Sequence, residues 1–309
     1  MIVCLPFLLL CAASPCTAAA PEAAPVAAPI AAFAAQEPAD KTQDPKAEKP
    51  KPEKKKFARL SSPNKKIVQS GLRGLEKGEE QEDIDAGVAK LIGIGEAAIP
   101  MCLDATARLE KVKRTDPLWQ VLDGILIDDD LALAWKSLRK KSPAGVQIYL
   151  TRRYADSKRK DAADFLKPLV KSETSALAYE AARGLVLRGN TDALVMIESE
   201  VRSRWLKESA TFRADFAGVD RAPLSSIITP LLNQTRLKEK LAALRMFEMF
   251  GIKEDAPLLA PFLSESDTSL RLAAINACRV VVAEEAPLAR PSMTEIIERA
   301  EVWKTKLDD

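Results

Sequence analysis

The amino-acid sequence predicts an all-α protein built from stacked helical units. The clearest observation is a pair of related segments, Glu173–Leu185 and Asp267–Cys278, which align with one constant offset. In that alignment four pairs of residues coincide: Pro168 with Pro261, Ser175 with Thr268, Leu177 with Leu270, and Ala181 with Ala274. A recurring frame of this kind is typical of helical repeats, each of which is too small to bury its own apolar face and therefore stacks on its neighbours.

Composition supports helices over strands. Aromatic residues make up only 5% of the chain, Ala and Leu are abundant, and no convincing β-type alternation is present. Helical patterns follow one another with short breaks at Gly, Pro, Asp, Ser and Thr. The predicted helices are 64–77, 81–92, 96–112, 117–127, 130–141, 143–155, 161–171, 174–188, 191–206, 224–233, 235–250, 254–264, 267–283 and 292–307.

Local signals support several of these helices. Ser292 and Glu295 form a capping box, and Asp267 and Thr191 are predicted N-caps. Two helices carry an apolar stripe with helical spacing. The stripes are Leu237, Leu241, Leu244 and Phe247 in one helix, and Leu270, Ala274, Ala277 and Val281 in the other.

The first residues resemble an export signal. Residues 2–13 are apolar and are followed by small residues that suit a cleavage site, so residues 1–20 are predicted to be a signal peptide. The n-region lacks Lys and Arg, which leaves a lipoprotein signal or a retained anchor as alternatives. Pro6 and Pro15 interrupt a run that is already short for a membrane span, so we expect no transmembrane segment after cleavage.

A linker is predicted over residues 21–56, before a helical domain at 57–309. It is rich in Ala and Pro and then, from Lys41 to Lys56, in Lys and Pro. Such a composition offers too few apolar side chains to offset the entropy of ordering, so we expect disorder. The lysines either contact an anionic polymer or surface or form a solvated spacer.

The chain contains no histidine, and its net charge is only +2. The first fact excludes Ser-His-Asp and Cys-His nucleophile systems and His-containing zinc sites. Cys102 and Cys278 lie among apolar residues at helical spacing, and we expect both to be buried as small apolar side chains. The sequence predicts no cofactor and no small-molecule substrate.

Two short motifs are weak candidates for chemistry. Ser62 and Lys65 match a Ser-x-x-Lys signature, but its companion motifs are missing. The triplet Asp128–Asp130 lacks the alternating ligands of a calcium loop, and acids at a helix N-terminus explain it better.

Several segments resemble HEAT repeats. The first helix of that family's unit carries Asp, an aliphatic-Arg pair and then Ala, here Asp267, Leu270-Arg271 and Ala274 with Ala277. The second half of the unit resembles Leu91–Leu103, Phe250–Leu263 and, without its proline, Leu187–Ile197. Ala178 and Lys238 occupy the place of Arg271 in other units, so the resemblance implies an irregular α-solenoid without a complete Asp–Arg ladder.

The resemblance also implies roles for two residues. Arg271 is expected to be structural and to bond an acid or carbonyl near the turn, with Asp267 close by on the same helix. We therefore expect Arg271→Ala to lower thermal stability, by about 1.5–3 kcal/mol for a charged-group hydrogen bond, while leaving partner affinity nearly unchanged.

The candidate partner-binding residues lie in a basic zone, residues 136–160, where Trp135, Tyr149 and Tyr154 are interleaved. Such a patch suits an acidic protein or a polyanion, with the aromatics available for stacking. The alternative is a set of solvated helix faces with the aromatics turned inward. The candidates are Lys136, Arg139, Lys140, Arg152, Arg153, Lys158 and Arg159.

Two further segments are less specific. The acidic stretch 76–85 is either a contact surface or a solvated face, and residues 204–234 interrupt the repeat rhythm. Taken together, the sequence predicts a non-catalytic exported scaffold that binds a protein or other macromolecule along one solenoid face. The rival hypothesis is an enzyme, or a protein acting on nucleic acid or another polyanion, on a HEAT-like frame.

Overall fold

A computed structural model of the chain describes residues 56–138 and 142–308. The predicted signal peptide lies outside the described residues, as does the predicted linker except for Lys56. Arg139 and Lys140 of the basic zone also lie outside them.

Every regular element in the described residues is helical, so the all-α prediction is confirmed. The first seven α-helices are α1 Ser62–Lys77, α2 Gln81–Ile94, α3 Ile99–Lys111, α4 Asp116–Ile125, α5 Leu131–Ser137, α6 Ala144–Asp156 and α7 Ala162–Leu166. The next seven are α8 Ser175–Val186, α9 Leu194–Asp215, α10 Ala222–Ile228, α11 Leu237–Phe250, α12 Ala260–Leu263, α13 Thr268–Val281 and α14 Met293–Asp308. Short 3-10 helices adjoin them at Gly95–Ala98, Asp128–Asp130, Lys167–Lys171, Thr191–Ala193, Thr229–Asn233 and Lys253–Leu259.

The helices pack chiefly on partners that are near in sequence. Extensive packing joins α1 to α2, α2 to α4, α6 to α8, α8 to α9, α9 to α11 and α11 to α13. Near the end of the described chain, α12 contacts both α13 and α14. The buried apolar residues form one continuous cluster, which extends from Val68 in α1 to Trp303 in α14.

Glycines set the close approach of α1 and α2. A Cβ added to Gly71 would lie 2.8 Å from Cγ of Leu91, and one added to Gly87 would lie 2.9 Å from the carbonyl oxygen of Gly71. Larger residues at these positions would force the two backbones apart. This is why the first helical pair carries glycines in the middle of both helices despite their low helix propensity.

Helix caps agree with the sequence in two of three places. The Asp267 carboxylate accepts from the backbone N–H groups of Ser269 (2.8 Å) and Leu270 (3.1 Å), which makes it the N-cap of α13. The Ser292 hydroxyl accepts from the N–H of Glu295 at 3.2 Å before α14. The cap predicted at Thr191 is wrong by one residue, because Asn190 accepts from the N–H of Asp192 instead.

Arg271 lies one helical turn beyond Asp267. Its Nη2 donates to the carbonyl oxygen of Glu265 at 2.7 Å, in the turn before α13, and its Nε is buried without a hydrogen-bond partner. The contact is of the kind that the HEAT resemblance implies, because it bonds the arginine to a carbonyl in the turn between α12 and α13.

The predicted end of a helix at 206 is wrong. Helix α9 runs on to Asp215, with a kink at Glu208 where the backbone leaves helical geometry. Trp205, Phe212 and Phe216 are all buried, because their spacing of seven and four residues keeps them on the inward face on both sides of the kink. The first part of the segment 204–234, which seemed to interrupt the repeat pattern, is therefore a continuation of α9.

One continuous helical stretch of the described residues, Gln81–Lys111, is apolar and long enough to span a membrane by length and composition alone. Core helices meet the same criterion. Leu91 and Ile99 are fully buried within the apolar cluster, and Gly95 between them has a positive φ of 72°. We therefore interpret the stretch as two core helices.

Cys102 in α3 and Cys278 in α13 are both buried and free, as predicted. Burial raises the pKa of each thiol to about 12. Because the thiolate is the reactive form, both side chains behave as small apolar groups.

Candidate binding surface

The basic zone contains both exposed and partly buried cations. Lys136, Arg152 and Lys158 are exposed. Arg153 and Arg159 are only partly exposed, and both make contacts within the protein. The zone is therefore not a uniform patch of free charge.

Arg153 and Arg159 hold neighbouring segments together. Arg153 in α6 donates to the carboxylate of Asp123 and to the carbonyl of Leu126, both at 2.7 Å, and so ties α6 to the end of α4. Arg159 forms an ion pair with Asp161 at 2.7 Å and donates to the carbonyls of Asp128 (3.0 Å) and Asp129 (3.2 Å). These contacts give both arginines a structural role whether or not they also meet a partner.

The aromatic side chains of the zone are engaged by other rings. Tyr149 stacks on Trp119 with centroids 4.6 Å apart, and its hydroxyl donates to Asp123 at 2.7 Å. Tyr154 is buried and stacks on Phe165, which Trp135 meets edge-on. These rings therefore face inward, as in the alternative interpretation of the basic zone, and they are not free to stack on a ligand.

Ion pairs link the successive helices that carry this zone. Beyond the Arg153–Asp123 pair, Arg183 of α8 bonds Asp156 at the end of α6 at 2.7 Å, and Arg152 of α6 bonds Asp215 of α9 at 3.3 Å. Arg213 of α9 then bonds Glu248 of α11 at 2.5 Å. We call this series the ion-pair ladder.

Arg183 is the most deeply buried arginine of the ladder. It is 4% exposed, and its Nε also donates to the buried Glu180 at 2.9 Å. Burial raises the pKa of Glu180, while the nearby Arg183 and Arg152 oppose that shift. The carboxylate therefore depends on Arg183 for compensation of its charge.

A surface groove lies beside the Arg213–Glu248 pair of the ladder, between α9, α11 and α13; we call it the C-terminal groove. It consists of two adjoining open depressions of about 570 and 470 Å³ that share Leu206, Leu241 and Arg245. Helix α9 lines one side and α11 the other, and α13 with residues 287–289 closes one end.

The groove carries an excess of positive charge. Its lining contains four cationic side chains and one carboxylate: Arg202, Arg213, Lys238, Arg245 and Glu248. Arg213 is compensated by Glu248, and Arg202 forms an ion pair with Glu198 outside the lining. Among the described residues no carboxylate forms a hydrogen bond or ion pair with Lys238 or Arg245.

Arg245 is held in the groove by an aromatic ring. Its guanidinium carbon lies 5.8 Å from the centroid of Trp205, and that of Arg213 lies 4.9 Å from the same ring. Burial lowers the pKa of Arg245, an effect that Glu248 partly offsets. Burial raises the pKa of Glu248, which is 2% exposed and shared by these two arginines.

Apolar side chains accompany these charges. Leu206 is 89% exposed on the rim of both depressions, next to the buried Trp205. Leu241 and Leu272 are partly buried along the floor. Aromatic and arginine side chains are enriched at interaction surfaces, and here they lie beside an exposed leucine.

The remaining candidates stay separate from this groove. Ser62 and Lys65 lie exposed in the first turn of α1, where Ser61 caps the helix by accepting from Asn64. The acids of 79–85 are exposed at the start of α2. Asp128–Asp130 form a 3-10 turn, and no group of three metal-ligating side chains occurs in the described ranges.

Sequence reasoning did not find the C-terminal groove. The segment 204–234 was noted only as irregular, although it contains Trp205, Arg213 and Arg221. The sequence pattern did not identify Lys238 or Arg245 as binding residues. The available signal was Leu206, an apolar residue one position off the inward face of α9, which a helical-face argument predicts to be exposed.

Comparisons with known proteins identify no relative. No protein-family model matches the chain. No curated protein and no solved structure matches it either. Function is therefore inferred from the surface of the protein itself.

Proposed function

We propose that the protein is a non-catalytic scaffold that binds another macromolecule along one face of an irregular, HEAT-like α-solenoid. The observation that carries the proposal is the C-terminal groove, which combines an exposed leucine with two cations that have no carboxylate partner within the described residues. A groove of this composition is unfavourable to leave open, because it exposes apolar surface and partly buries a charge.

The packing order supports a solenoid. Each major helix packs on the next or next-but-one helix in sequence, and the ion-pair ladder follows the same order from α4 to α11. Stacked helical units that rotate slightly on one another present an extended face, which such proteins use for binding.

The apolar N-terminal segment supports export of this scaffold. The net charge of the whole chain, +2, does not by itself attract a polyanion, so recognition would depend on local surfaces such as the groove. The partner class we favour is therefore a protein.

Photocrosslinking tests the proposal. A photoreactive amino acid replaces Leu206 in the groove or, as the control, Leu258, a second exposed leucine that lies in the 3-10 helix before α12. We expect a discrete macromolecular adduct from position 206 of the full chain, formed in the compartment to which it is exported, and none from position 258.

Two outcomes would contradict the proposed function. If a scan of exposed positions over all the described helices produced no discrete adduct, the scaffold proposal would be wrong. Turnover of any substrate by the purified chain would contradict its non-catalytic part.

A further inference from the structure

We propose that the C-terminal groove binds an extended acidic peptide segment of a partner protein, with a carboxylate on Arg245 and an apolar side chain against Leu206. This inference rests on the proposed binding function and specifies the chemistry of the partner. Two groups of observations carry it: the uncompensated charge in the groove and the arrangement of apolar residues along it.

Glu248 is the acid that lies beside Arg213 and Arg245 in the groove. Among the described residues this buried carboxylate accepts a hydrogen bond from Arg213 at 2.5 Å and none from Arg245. Arg245 is left partly buried beside Trp205, and burial lowers its pKa. A carboxylate from outside would form charge-assisted hydrogen bonds with this guanidinium and complete the pairing of two arginines with two acids.

A second unpaired cation lies along the same groove. Lys238 precedes Arg245 by two helical turns on α11, and both line the depression that also holds Leu206. Acidic residues spaced along an extended chain would meet the two cations in succession.

The dimensions suit a short peptide. The lining of the groove on α9 runs from Ser199 to Arg213 across the kink at Glu208, about 20 Å of helix at about 1.5 Å per residue. An extended chain at about 3.4 Å per residue would cover that distance with about six residues. Successive side chains of an extended segment point to opposite sides, so alternating acidic and apolar residues would direct the acids to Arg245 and Lys238 on α11 and the apolar side chains to Leu206 on α9.

The composition of the groove favours a peptide over a nucleic acid. Leu206, Leu241 and Leu272 give it an apolar side that a phosphate backbone would leave uncovered. Trp205 is 7% exposed and already contacts two guanidinium groups, so it offers no face for a base.

Fluorescence anisotropy with the full chain tests the inference. The probe is a labelled synthetic peptide in which Glu and Leu alternate, with a few Ser residues for solubility. Its two controls replace every Glu by Gln or every Leu by Ser. We expect binding of the Glu/Leu peptide that weakens about tenfold or more with either control and weakens with added salt.

Variants of the protein locate the site. Arg245→Met should weaken binding of the peptide about tenfold, the equivalent of about 1.4 kcal/mol, and Lys238→Met by a smaller factor. Lys253→Met removes an exposed lysine outside the groove and should leave binding unchanged.

Three results would overturn the inference. The first is equal binding of the Glu and Gln peptides, or no change with Arg245→Met. The second is displacement of the peptide by a short RNA that itself binds more tightly. The third is dimerisation of the chain alone that Arg245→Met abolishes, since the occupant would then be a second copy, for instance its acidic residues 79–85.

This experiment and the crosslinking experiment fail separately. Adducts at position 206 without peptide binding would leave the scaffold proposal intact and refute the acidic peptide. An absence of adducts over the whole described surface would refute the scaffold proposal itself.

Discussion

The basic zone and the C-terminal groove both contain arginines, but these arginines have different surroundings and different roles. In the basic zone, Arg153 and Arg159 are bonded to acids and carbonyls of neighbouring segments. In the groove, Arg245 makes no such bond to the described residues and lies beside an exposed leucine. Local density of basic residues is therefore a poor guide to free positive charge, because pairing across helices decides which cations remain available.

The largest effect is expected at Arg183, the buried arginine of the ladder. Arg183→Met removes the nearest cation from Glu180 and Asp156, so the buried Glu180 keeps only Arg152, at 4.0 Å. We expect the free energy of unfolding to fall by about 3–5 kcal/mol. Urea denaturation measures this loss. The double variant Arg183→Met/Glu180→Gln should recover part of it, and a loss below about 0.5 kcal/mol in the single variant would contradict the structural role.

A smaller loss is expected within the basic zone. Arg153→Met should lower the free energy of unfolding by about 2 kcal/mol, because two charge-assisted hydrogen bonds between α4 and α6 are lost. Arg152→Met is the comparison, since Arg152 lies on the same helix but is largely exposed, and its 3.3 Å pair with Asp215 should contribute about 0.5 kcal/mol or less. Equal effects of the two substitutions would remove the distinction between partly buried and exposed cations of the zone.

The pH dependence of stability tests the buried carboxylate beside the groove. Burial raises the pKa of Glu248 above its ordinary value of about 4.3, so the folded chain binds this proton more tightly than the unfolded chain. Its contribution to stability is full below the unfolded pKa and is lost as the pH rises through the folded pKa. Relative to Glu248→Gln, the unsubstituted protein should therefore lose stability as the pH rises through that window.

The pKa of Glu208 is shifted in the opposite direction to that of Glu248, so the two residues can be compared. Its hydrogen bond from Arg204 lowers the pKa of this carboxyl, so its contribution is lost as the pH falls through the folded pKa. Thermal melts of Glu248→Gln and Glu208→Gln over pH 4 to 7 should diverge from the unsubstituted protein in opposite directions. Parallel curves would contradict the assignment for Glu248.

The smallest effect on stability is expected in the groove. Arg245→Met should change the free energy of unfolding by no more than about 0.5 kcal/mol, because an apolar side chain there avoids the cost of partly burying an unpaired cation. The same denaturation measurement applies, and Arg153→Met is the reference. A loss as large as that of Arg153→Met would show that Arg245 belongs to the structural set.

The sequence predicted what depends on local pattern. Helices followed from apolar periodicity and from caps such as Asp267 and Ser292, whose partners lie within three residues. The ladder could not be predicted, because Arg183 meets Asp156 and Arg213 meets Glu248 across 27 and 35 residues. A single sequence contains many acids and bases and does not specify which of them meet.

The groove was missed for a related reason. The sequence shows that Leu206, Lys238 and Arg245 are on helices, but only the packing of α9 on α11 brings them together. The helix end predicted at 206 also missed the continuation of α9 past its kink, which carries Ser209 and Arg213 of the groove lining.

The two buried thiols make the protein its own reporter of local opening. Cys102 lies in α3, near the start of the described helices, and Cys278 lies in α13, near their end. Alkylation requires each thiol to reach water and ionise, so its rate measures how often that region opens. Pulsed alkylation read by peptide mass would show whether the two ends of the helical array unfold together or one at a time.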